Sequence, residues 1–462
     1  MGHNSKLSIA VIGLAMALSA FVAQTGSGAE LLLIQPWDRV LVLAPHPDDE
    51  VLGCGGTIQK ALAQHVPVKV VFLTSGDANE WSFALYRGHP VIEPSAALAM
   101  GRVRVSEAVA ADRLLGLSTN ALVFLGYPDF GMLRIWAEHW ADAPALKSVL
   151  TRVTAVPYEN AYHPEAPYKG EEVLGDLKRL LLEFRPTKIF VSHPADRNPD
   201  HRALYLFTKV ALWDLQGELA PQVYPYLVHF ADWPQPSGLV PAERLRPPVE
   251  FSNSVWYSTT LAPAQVDLKL VALRRHRTQF EYSGWVLERF VRRNELFGDF
   301  PDVQLFAQSR EQPIAQDTPA EARQVPREEL TDEERAAFVG IERRTAFLEG
   351  GRLVVTIRFS RPLAEEVGCA ISLFGYRPDR PFAQMPKLVI RLDEGRSRVL
   401  ERGRALAFDE VEIQRQTRGV RVAVPLSTLG NPTRVLTSAR TYLADVPLDL
   451  ASWRALAVEP AP

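Results

Sequence analysis

The stretch Leu41-Val42-Leu43-Ala44-Pro45-His46-Pro47-Asp48-Asp49-Glu50 holds an imidazole and three carboxylates within five residues, directly behind an apolar run. Val40 to Ala44 is short and continuously apolar, the pattern of a strand buried on both faces of a parallel sheet. Pro45 and Pro47 end it, because neither can donate a ladder hydrogen bond. From Glu50 the period changes. Val51, Leu52, Ile58, Ala61 and Leu62 fall at helical spacing around a Gly-rich turn through Gly53, Gly55 and Gly56. A strand, a loop and a helix in this order predict an α/β fold, with ligands held in the crevice beyond the strand's carboxyl end.

The residue types in that loop suit a metal. Zinc favours imidazole and carboxylate ligands, and a catalytic zinc keeps three protein ligands with water in the fourth place. His46 and one of the two aspartates supply two ligands and leave the other aspartate free as a base. The competing reading is a turn in which an aspartate caps a helix and His46 is incidental. A third ligand comes from Ser192-His193-Pro194-Ala195-Asp196-Arg197-Asn198-Pro199-Asp200-His201, which follows a β-like run, Lys188 to Val191, and precedes a helix-like stretch from Arg202 to Leu215. Two strand ends with convergent His and Asp residues make one site.

With these motifs in place, the chain resembles the zinc-dependent N-deacetylases of the PIG-L, or LmbE-like, family, which act on N-acetylglucosamine-type substrates. The family's first signature, Ala-His-Pro-Asp-Asp-Glu, is matched by Ala44 to Glu50 with Pro45 inserted, and its second, Pro-Asp-His, by Pro199-Asp200-His201. Arg104 to Glu107 with Leu115-Gly116, Phe124 to Asp129, and Lys269 through His276 to Gln279 resemble further family segments, so that the likeness spans about residues 38 to 300. The resemblance implies a Rossmann-like LmbE-type α/β sheet with flanking helices. It implies His46, Asp49 and His201 as metal ligands, Zn2+ as the metal, and Asp48 as the general base. Fe2+ or Co2+ suits the same donors. Many relatives have a histidine three residues before the last ligand, where this chain has Asn198. Asparagine can donate a hydrogen bond to a developing oxyanion but cannot deliver a proton near neutral pH. Asn198 is therefore a catalytic candidate for the oxyanion, and the amine's proton falls to Asp48 or to a histidine such as His193. Asp200, Asp196 and His193 are candidates for orienting the ligands from behind, against a plainer role of the aspartates in capping turns. Arg104 and Glu107 fit a structural ion pair as well as a substrate contact.

Length and composition frame this site. At 462 residues the chain has room for two or three domains, and 47% hydrophobic with 23% charged residues suits a protein with an ordinary core. A net charge of -3 gives no reason to expect nucleic acid as a partner. Lys6, the apolar run Leu7 to Ala23 and the small residues Ser27-Gly28-Ala29 read as a signal peptide over residues 1–29. An uncleaved membrane anchor is the alternative. Cleavage predicts export to the periplasm or beyond, with no stable membrane span in the mature chain. Two cysteines, Cys54 and Cys369, make no disulfide framework, and Cys54 reads as a small packing residue.

The expected layout is a deacetylase domain over 30–306, a linker rich in Gln, Glu, Pro and Ala over 307–336, and an accessory domain over 337–462. Alternating runs at Leu353 to Phe359, Lys387 to Leu392 and Arg418 to Val424 predict a C-terminal all-β, sandwich-like fold. Aromatics between the two signatures, Trp81, Tyr86, Trp136, Trp140, Tyr158, Tyr162 and Tyr168, are either platforms for sugar rings or pins that fasten long loops. Two functions of different classes fit: an exported zinc hydrolase that deacetylates an N-acetylated amino sugar or polysaccharide, and an inactive glycan-binding protein that keeps the metal pocket. The sequence does not fix an oligomeric state.

Overall fold

The computed structural model describes residues 29–78, 93–251, 254–305, 312–313, 330–393, 395–406, 410–444 and 446–458. Residues 1–28 of the expected signal peptide, Trp81 and Tyr86 lie outside them. Among the described residues no helix is long and apolar enough to cross a membrane.

The α/β half is built on one eight-stranded sheet. In chain order its elements are β1 (Glu30–Leu31), β2 (Val40–Ala44), α1 (Asp49–Ala63), β3 (Val68–Thr74), α2 (Pro94–Leu115), β4 (Leu122–Tyr127), α3 (Met132–Glu138) and α4 (Gly170–Phe184). They continue with β5 (Lys188–Ser192), α5 (Pro199–Asp214), β6 (Gln222–Tyr226), β7 (Trp256–Thr260), α6 (Pro263–Leu273), α7 (Arg277–Leu287) and β8 (Asn294–Gly298). The strand order is β1-β7-β8-β6-β5-β2-β3-β4. β2 to β6 run parallel, while β8 is antiparallel to both of its neighbours. The chain leaves β2 towards β3 and β4, then returns to lay β5 and β6 on the other side. That reversal opens a crevice between the carboxyl ends of β2 and β5, where open α/β sheets bind ligands. All five residues of β2 and all five of β5 are buried, as expected for central strands covered by helices on both faces.

One local expectation needs correction. Gly53, Gly55 and Gly56 do not form a turn; they lie inside α1. A Cβ on Gly53 would stand 2.6 Å from the Tyr226 ring, and one on Gly56 would stand 2.3 Å from Leu261. The glycines therefore let α1 approach the sheet and the segment entering α6. The buried pair Lys269–Glu295, 2.7 Å apart, fastens the same stretch: Lys269 Nζ donates to Leu52 O and Glu295 accepts from the Gly56 and Thr57 N–H groups.

The C-terminal half is two mainly antiparallel sheets. β9 (Val303–Leu305), β10 (Gln312–Pro313), α8 (Asp332–Ala337), β11 (Ile341–Glu349), β12 (Arg352–Phe359), β13 (Val367–Tyr376), β14 (Lys387–Asp393), β15 (Arg396–Glu401) and β16 (Arg404–Leu406) are followed by β17 (Glu412–Gln416), β18 (Gly419–Pro425), β19 (Arg434–Leu443) and β20 (Val446–Val458). The sheets have the orders β10-β11-β12-β18-β17 and β16-β15-β14-β13-β19-β20-β9, and one apolar core is shared between them. The predicted strands at 353, 387 and 418 are β12, β14 and β18. The stretch 307–336 lies largely outside the described residues, but its described parts do not read as a free linker. β10 pairs with β11, α8 is helical, and β9, which precedes the expected boundary, pairs in parallel with β20.

The two halves share a core as well. Trp136 on α3 is fully buried, with ring centroids 5.1 Å from Phe207, 5.2 Å from Phe382, 6.0 Å from Phe374 and 6.1 Å from Trp453. Trp140 and Tyr168 are likewise buried. These aromatics pin the loop segment and join the β half to the α/β half; they offer no face to a sugar. Trp136→Ala is expected to destabilise the protein by about 3–5 kcal/mol, the usual loss for a fully buried Trp or Phe. Thermal unfolding measures it, and a loss under about 1 kcal/mol would mean that this aromatic contact contributes little.

Candidate metal centre

His46 leaves the end of β2 and His201 stands in the first turn of α5, after β5, so the two strand ends at the topological reversal each supply one imidazole. Asp49, in the first turn of α1, lies between them: its Oδ2 is 3.1 Å from His46 Nδ1 and 3.0 Å from His201 Nε2. One ligand atom from each of the three falls within 4.8 Å of the others, and all three residues are buried. The structure thus brings together the three residues expected to hold the metal.

The electrostatics favour a cation. Burial would push Asp49 up, but the imidazoles of His201 and His46 outweigh it and hold the carboxyl well below its ordinary range. Burial would pull His201 down, yet Asp196 and Asp49 raise it to about 9. His46 is raised well above its ordinary value although burial opposes this, because Asp129, Asp200 and Asp49 surround it. Protons on the imidazoles thus balance the carboxylates, and a divalent ion binding here would displace them. Two imidazoles and a carboxylate are a donor set that suits zinc.

Asp48 has a different setting. Its backbone lies at φ 120°, in the left-handed region that costs a non-glycine residue of order 1–3 kcal/mol. Its N–H donates to Glu50 Oε2 at 2.9 Å, and Arg104 stands 3.5 Å from its Oδ2. Burial, then Asp49 and Glu50, push the carboxyl up to about 6 against the pull of Arg104 and His276. Arg104 on α2 also donates to Pro47 O at 2.8 Å and Gly76 O at 3.0 Å, which clamps the loop. It does not pair with Glu107, whose carboxylate accepts from the Thr278 N–H at 3.0 Å and hydroxyl at 2.7 Å. Glu50 is backed by His276 at 3.1 Å.

Behind the ligands the two aspartates divide. Asp196 Oδ2 lies 3.2 Å from His201 Nδ1, and the carboxylate also accepts the N–H groups of Asn198, Val228 and His229 at 2.9 to 3.0 Å. It orients His201 and ties its own loop to the segment after β6. Asp200 Oδ2 lies 3.3 Å from His46 Nε2 and accepts the Phe130 N–H at 2.6 Å, while its Oδ1 accepts that of Met132 at 3.0 Å. Asn198 caps α5, its Oδ1 accepting the Asp200 N–H at 2.8 Å, and it lines the same cavity as His46, Asp48 and Asp49. With the carbonyl oxygen committed to the cap, the amide NH2 is its remaining polar group.

His193 stands apart. Its ring lies among Phe251, Trp256 and Phe300, its Nδ1 accepts the Ala195 N–H at 3.1 Å, and burial followed by Arg454 lowers it to about 3. None of these contacts is with His46, Asp49 or His201, and a neutral imidazole cannot protonate an amine, so the expected orienting and donor roles do not fit it. Cys54 is free and buried, outside the residues that line the cavity, as a packing residue should be.

Two groups escaped the sequence reading. Asp129, following β4, stands 3.1 Å from His46 Nε2. His229, beyond β6, holds Asp196 Oδ1 at 3.1 Å through Nδ1 and presents a half-exposed ring to the cavity beside Asn198, with its centroid 4.6 Å from that of His201. Both sit beyond the carboxyl ends of parallel strands on either side of the recognised pair, β6 next to β5 and β4 one strand removed from β2. That position was the available signal.

Asp196→Asn is expected to weaken metal binding about 10–100-fold, the usual effect of losing a carboxylate behind a ligating histidine. Competition with a chromogenic chelator measures it, and unchanged affinity would remove Asp196 from the centre.

The chain is similar to known proteins over its α/β half. Residues 41–212 match the PIG-L family model, described as GlcNAc-PI de-N-acetylase. A 1D-myo-inositol 2-acetamido-2-deoxy-alpha-D-glucopyranoside deacetylase of Gordonia bronchialis is 26% identical over 261 residues, covering 52% of this chain and 83% of the relative. Its counterpart in Saccharopolyspora erythraea, deacetylase 1, is 33% identical over 178 residues, which is 37% of this chain and 53% of that protein. Among solved structures, the conserved protein TT1542 from Thermus thermophilus superposes with a TM-score of 0.33 at 24% identity, over 55% of this chain and 84% of that one. All three candidate ligands lie within residues 41–212, the stretch that matches the PIG-L family model.

Proposed function

We propose that this protein is an exported, zinc-dependent hydrolase that removes the acetyl group from the nitrogen of an N-acetylglucosamine-type sugar or glycan. The reaction class, N-deacetylation, accords with the PIG-L domain and with the deacetylases it is similar to. The observation that carries the reading is the convergence of His46, Asp49 and the buried His201 beside a cavity that His46, Asp49 and the carboxyl of Asp48 line.

A divalent ion held by these three residues would supply an acidified water and a Lewis acid for the acetamide carbonyl. Asp48 Oδ takes the proton of the attacking water and, once protonated, is the acid that returns it to the leaving amine. Arg104 sits beside Asp48 and favours its ionised form at the start of the cycle. Asn198 offers its amide N–H to the carbonyl oxygen as negative charge develops there. Asp196 and Asp200 fix the rings of His201 and His46.

Acetate release from N-acetylglucosamine, its glycosides and chitooligosaccharides, with and without a chelator, tests the reading. Chelator-sensitive release is expected, restored by zinc or by another divalent ion. Full metal loading without release from any amide would favour the glycan-binding alternative, whose support is Asn198 in place of the histidine of many relatives. Export rests on the pattern Lys6, Leu7 to Ala23 and Ser27-Gly28-Ala29. Amino-terminal sequencing of the secreted protein should begin at Glu30, and a chain that starts at Met1 or Gly2 would overturn cleavage.

A further inference from the structure

The cavity around the candidate ligands, about 240 Å³, is smaller than the roughly 300–1,000 Å³ usual for ligand sites. A second cavity of about 350 Å³ adjoins it and shares Asp129 and Phe130 with it. Phe130 is the partition between them. Its backbone is held at φ 55°, a conformation a bulky side chain seldom adopts, by the 2.6 Å hydrogen bond from its N–H to Asp200, the carboxylate that also faces His46. Phe130 is 53% exposed, and its ring centroid is 6.4 Å from that of His46. Strain of this kind persists where the surroundings impose it and gathers at ligand clamps. Here it stands an apolar ring upright beside the reacting centre.

Beyond Phe130 the walls combine Leu146, Val149 and Leu150 with two cations, Arg134 on α3 and Lys147. Val149 is 74% exposed, so that its apolar surface faces the cavity mouth without cover. Among the described residues neither Arg134 nor Lys147 makes an ion pair or side-chain hydrogen bond. The ligand cavity holds the carboxylates of Asp48, Asp49 and Asp129, whereas the second cavity sets two cations, Arg134 and Lys147, against the one carboxylate it shares, Asp129.

We propose that this second cavity is the subsite for the group attached to the amino sugar, and that it selects a substituent with an apolar segment next to the sugar and a phosphate or carboxylate at its far end. The proposal rests on the deacetylase reading. Phe130, Val149 and Leu150 cover the apolar segment; Arg134 and Lys147 pair with the anion, the guanidinium in bidentate fashion. The subsite thereby orients the acetamide towards His46, Asp49 and His201.

Four probes separate the parts: methyl N-acetylglucosaminide, its hexyl analogue, and hexyl analogues ending in carboxylate or in phosphate. Each is titrated calorimetrically into the zinc-loaded Asp48→Asn protein and assayed for acetate release with the zinc-loaded wild type. Binding should tighten about tenfold from methyl to hexyl and about tenfold again with an anionic end, as a charged hydrogen bond of about 1.5 kcal/mol supplies. Arg134→Gln with Lys147→Gln should erase the second step and keep the first; Phe130→Ala should reduce the first. The phosphate and carboxylate probes show which anion fits. Equal binding of all four probes, or an anionic preference that survives the double variant, overturns the subsite. The expected binding pattern without acetate release from any probe would keep the subsite and overturn the deacetylase reading.

Discussion

Asp48→Asn is expected to lower kcat for acetate release by about 10²–10⁴-fold, the usual contribution of a positioned base, while zinc content stays at the wild-type level. The separation of the two readouts follows from the geometry. Asp49 Oδ2 faces both imidazoles at 3.0 to 3.1 Å, whereas the Asp48 carboxyl faces Arg104. Asparagine keeps the shape and leaves the His46–Asp49–His201 set intact, but it cannot accept a proton. The pH dependence has a defined sign. Burial, Asp49 and Glu50 raise the carboxyl to about 6, so the base form prevails above that pH and kcat/KM should rise through pH 6 in the acid limb. A divalent ion beside Asp48 favours the ionised form and moves the limb lower. Below it the rate should fall tenfold per pH unit in the wild type, and this limb should be missing from whatever residual rate Asp48→Asn retains. Loss of zinc together with loss of activity would instead make Asp48 a ligand. Retention of more than about a tenth of the activity would remove it as the base.

The expected division of the two adjacent aspartates came only from the resemblance to PIG-L deacetylases; spacing alone left either aspartate free to bind, whereas the structure sets Asp49 between the two imidazoles and Asp48 beside Arg104. The strand of residues 40–44 was legible directly, because five consecutive apolar residues between turn signals fit a buried parallel strand. The three β strands at 353, 387 and 418 declared themselves by alternation. What the sequence hid was long-range. Gly53 and Gly56 read as turn residues because a glycine looks the same in a turn and in a crowded helix; only Tyr226 and Leu261, far along the chain, show why no Cβ fits there. Trp136 and Trp140 could not be settled between sugar platforms and loop pins, because the β half that buries them lies far onward in the chain. His193, immediately after β5 and inside a recognised motif, reads like a ligand neighbour, yet Phe251, Trp256 and Phe300 claim its ring. Asp129 closes a segment that resembles the family but was given no role, His229 carries no motif of its own, and both reach the site through sheet order.

His201→Ala is expected to abolish zinc binding at the centre and to reduce kcat/KM by at least about 10³-fold, since the ion's acidification of water, from a pKa near 15.7 to near 7, goes with it. His201 sets one ring nitrogen on each of two buried carboxylates, Nε2 on Asp49 and Nδ1 on Asp196. Its removal leaves both without their shared partner. A second readout therefore separates loss of a ligand from simple inactivation. In the chelator-treated wild type, Asp196 and Asp49 raise His201 to about 9 against the effect of burial. The folded value lies above the unfolded 6.5, so the protonated ring contributes stability that is fully present below pH 6.5 and is lost as pH rises through 9. A shift of that size is worth about 3 kcal/mol. The metal-free wild type should lose stability between pH 6.5 and 9 while the zinc-loaded protein, in which the ion replaces the proton, should not. In His201→Ala the His201 share of this dependence should disappear with or without zinc, leaving in the metal-free protein the share of His46 and His276, whose rings are also raised. Denaturant melts at about pH 6 and about pH 9, with and without zinc, distinguish the cases. A pH profile unchanged by the substitution would mean that His201 is not the group that balances Asp49 and Asp196, and zinc bound at wild-type affinity by His201→Ala would place the metal elsewhere.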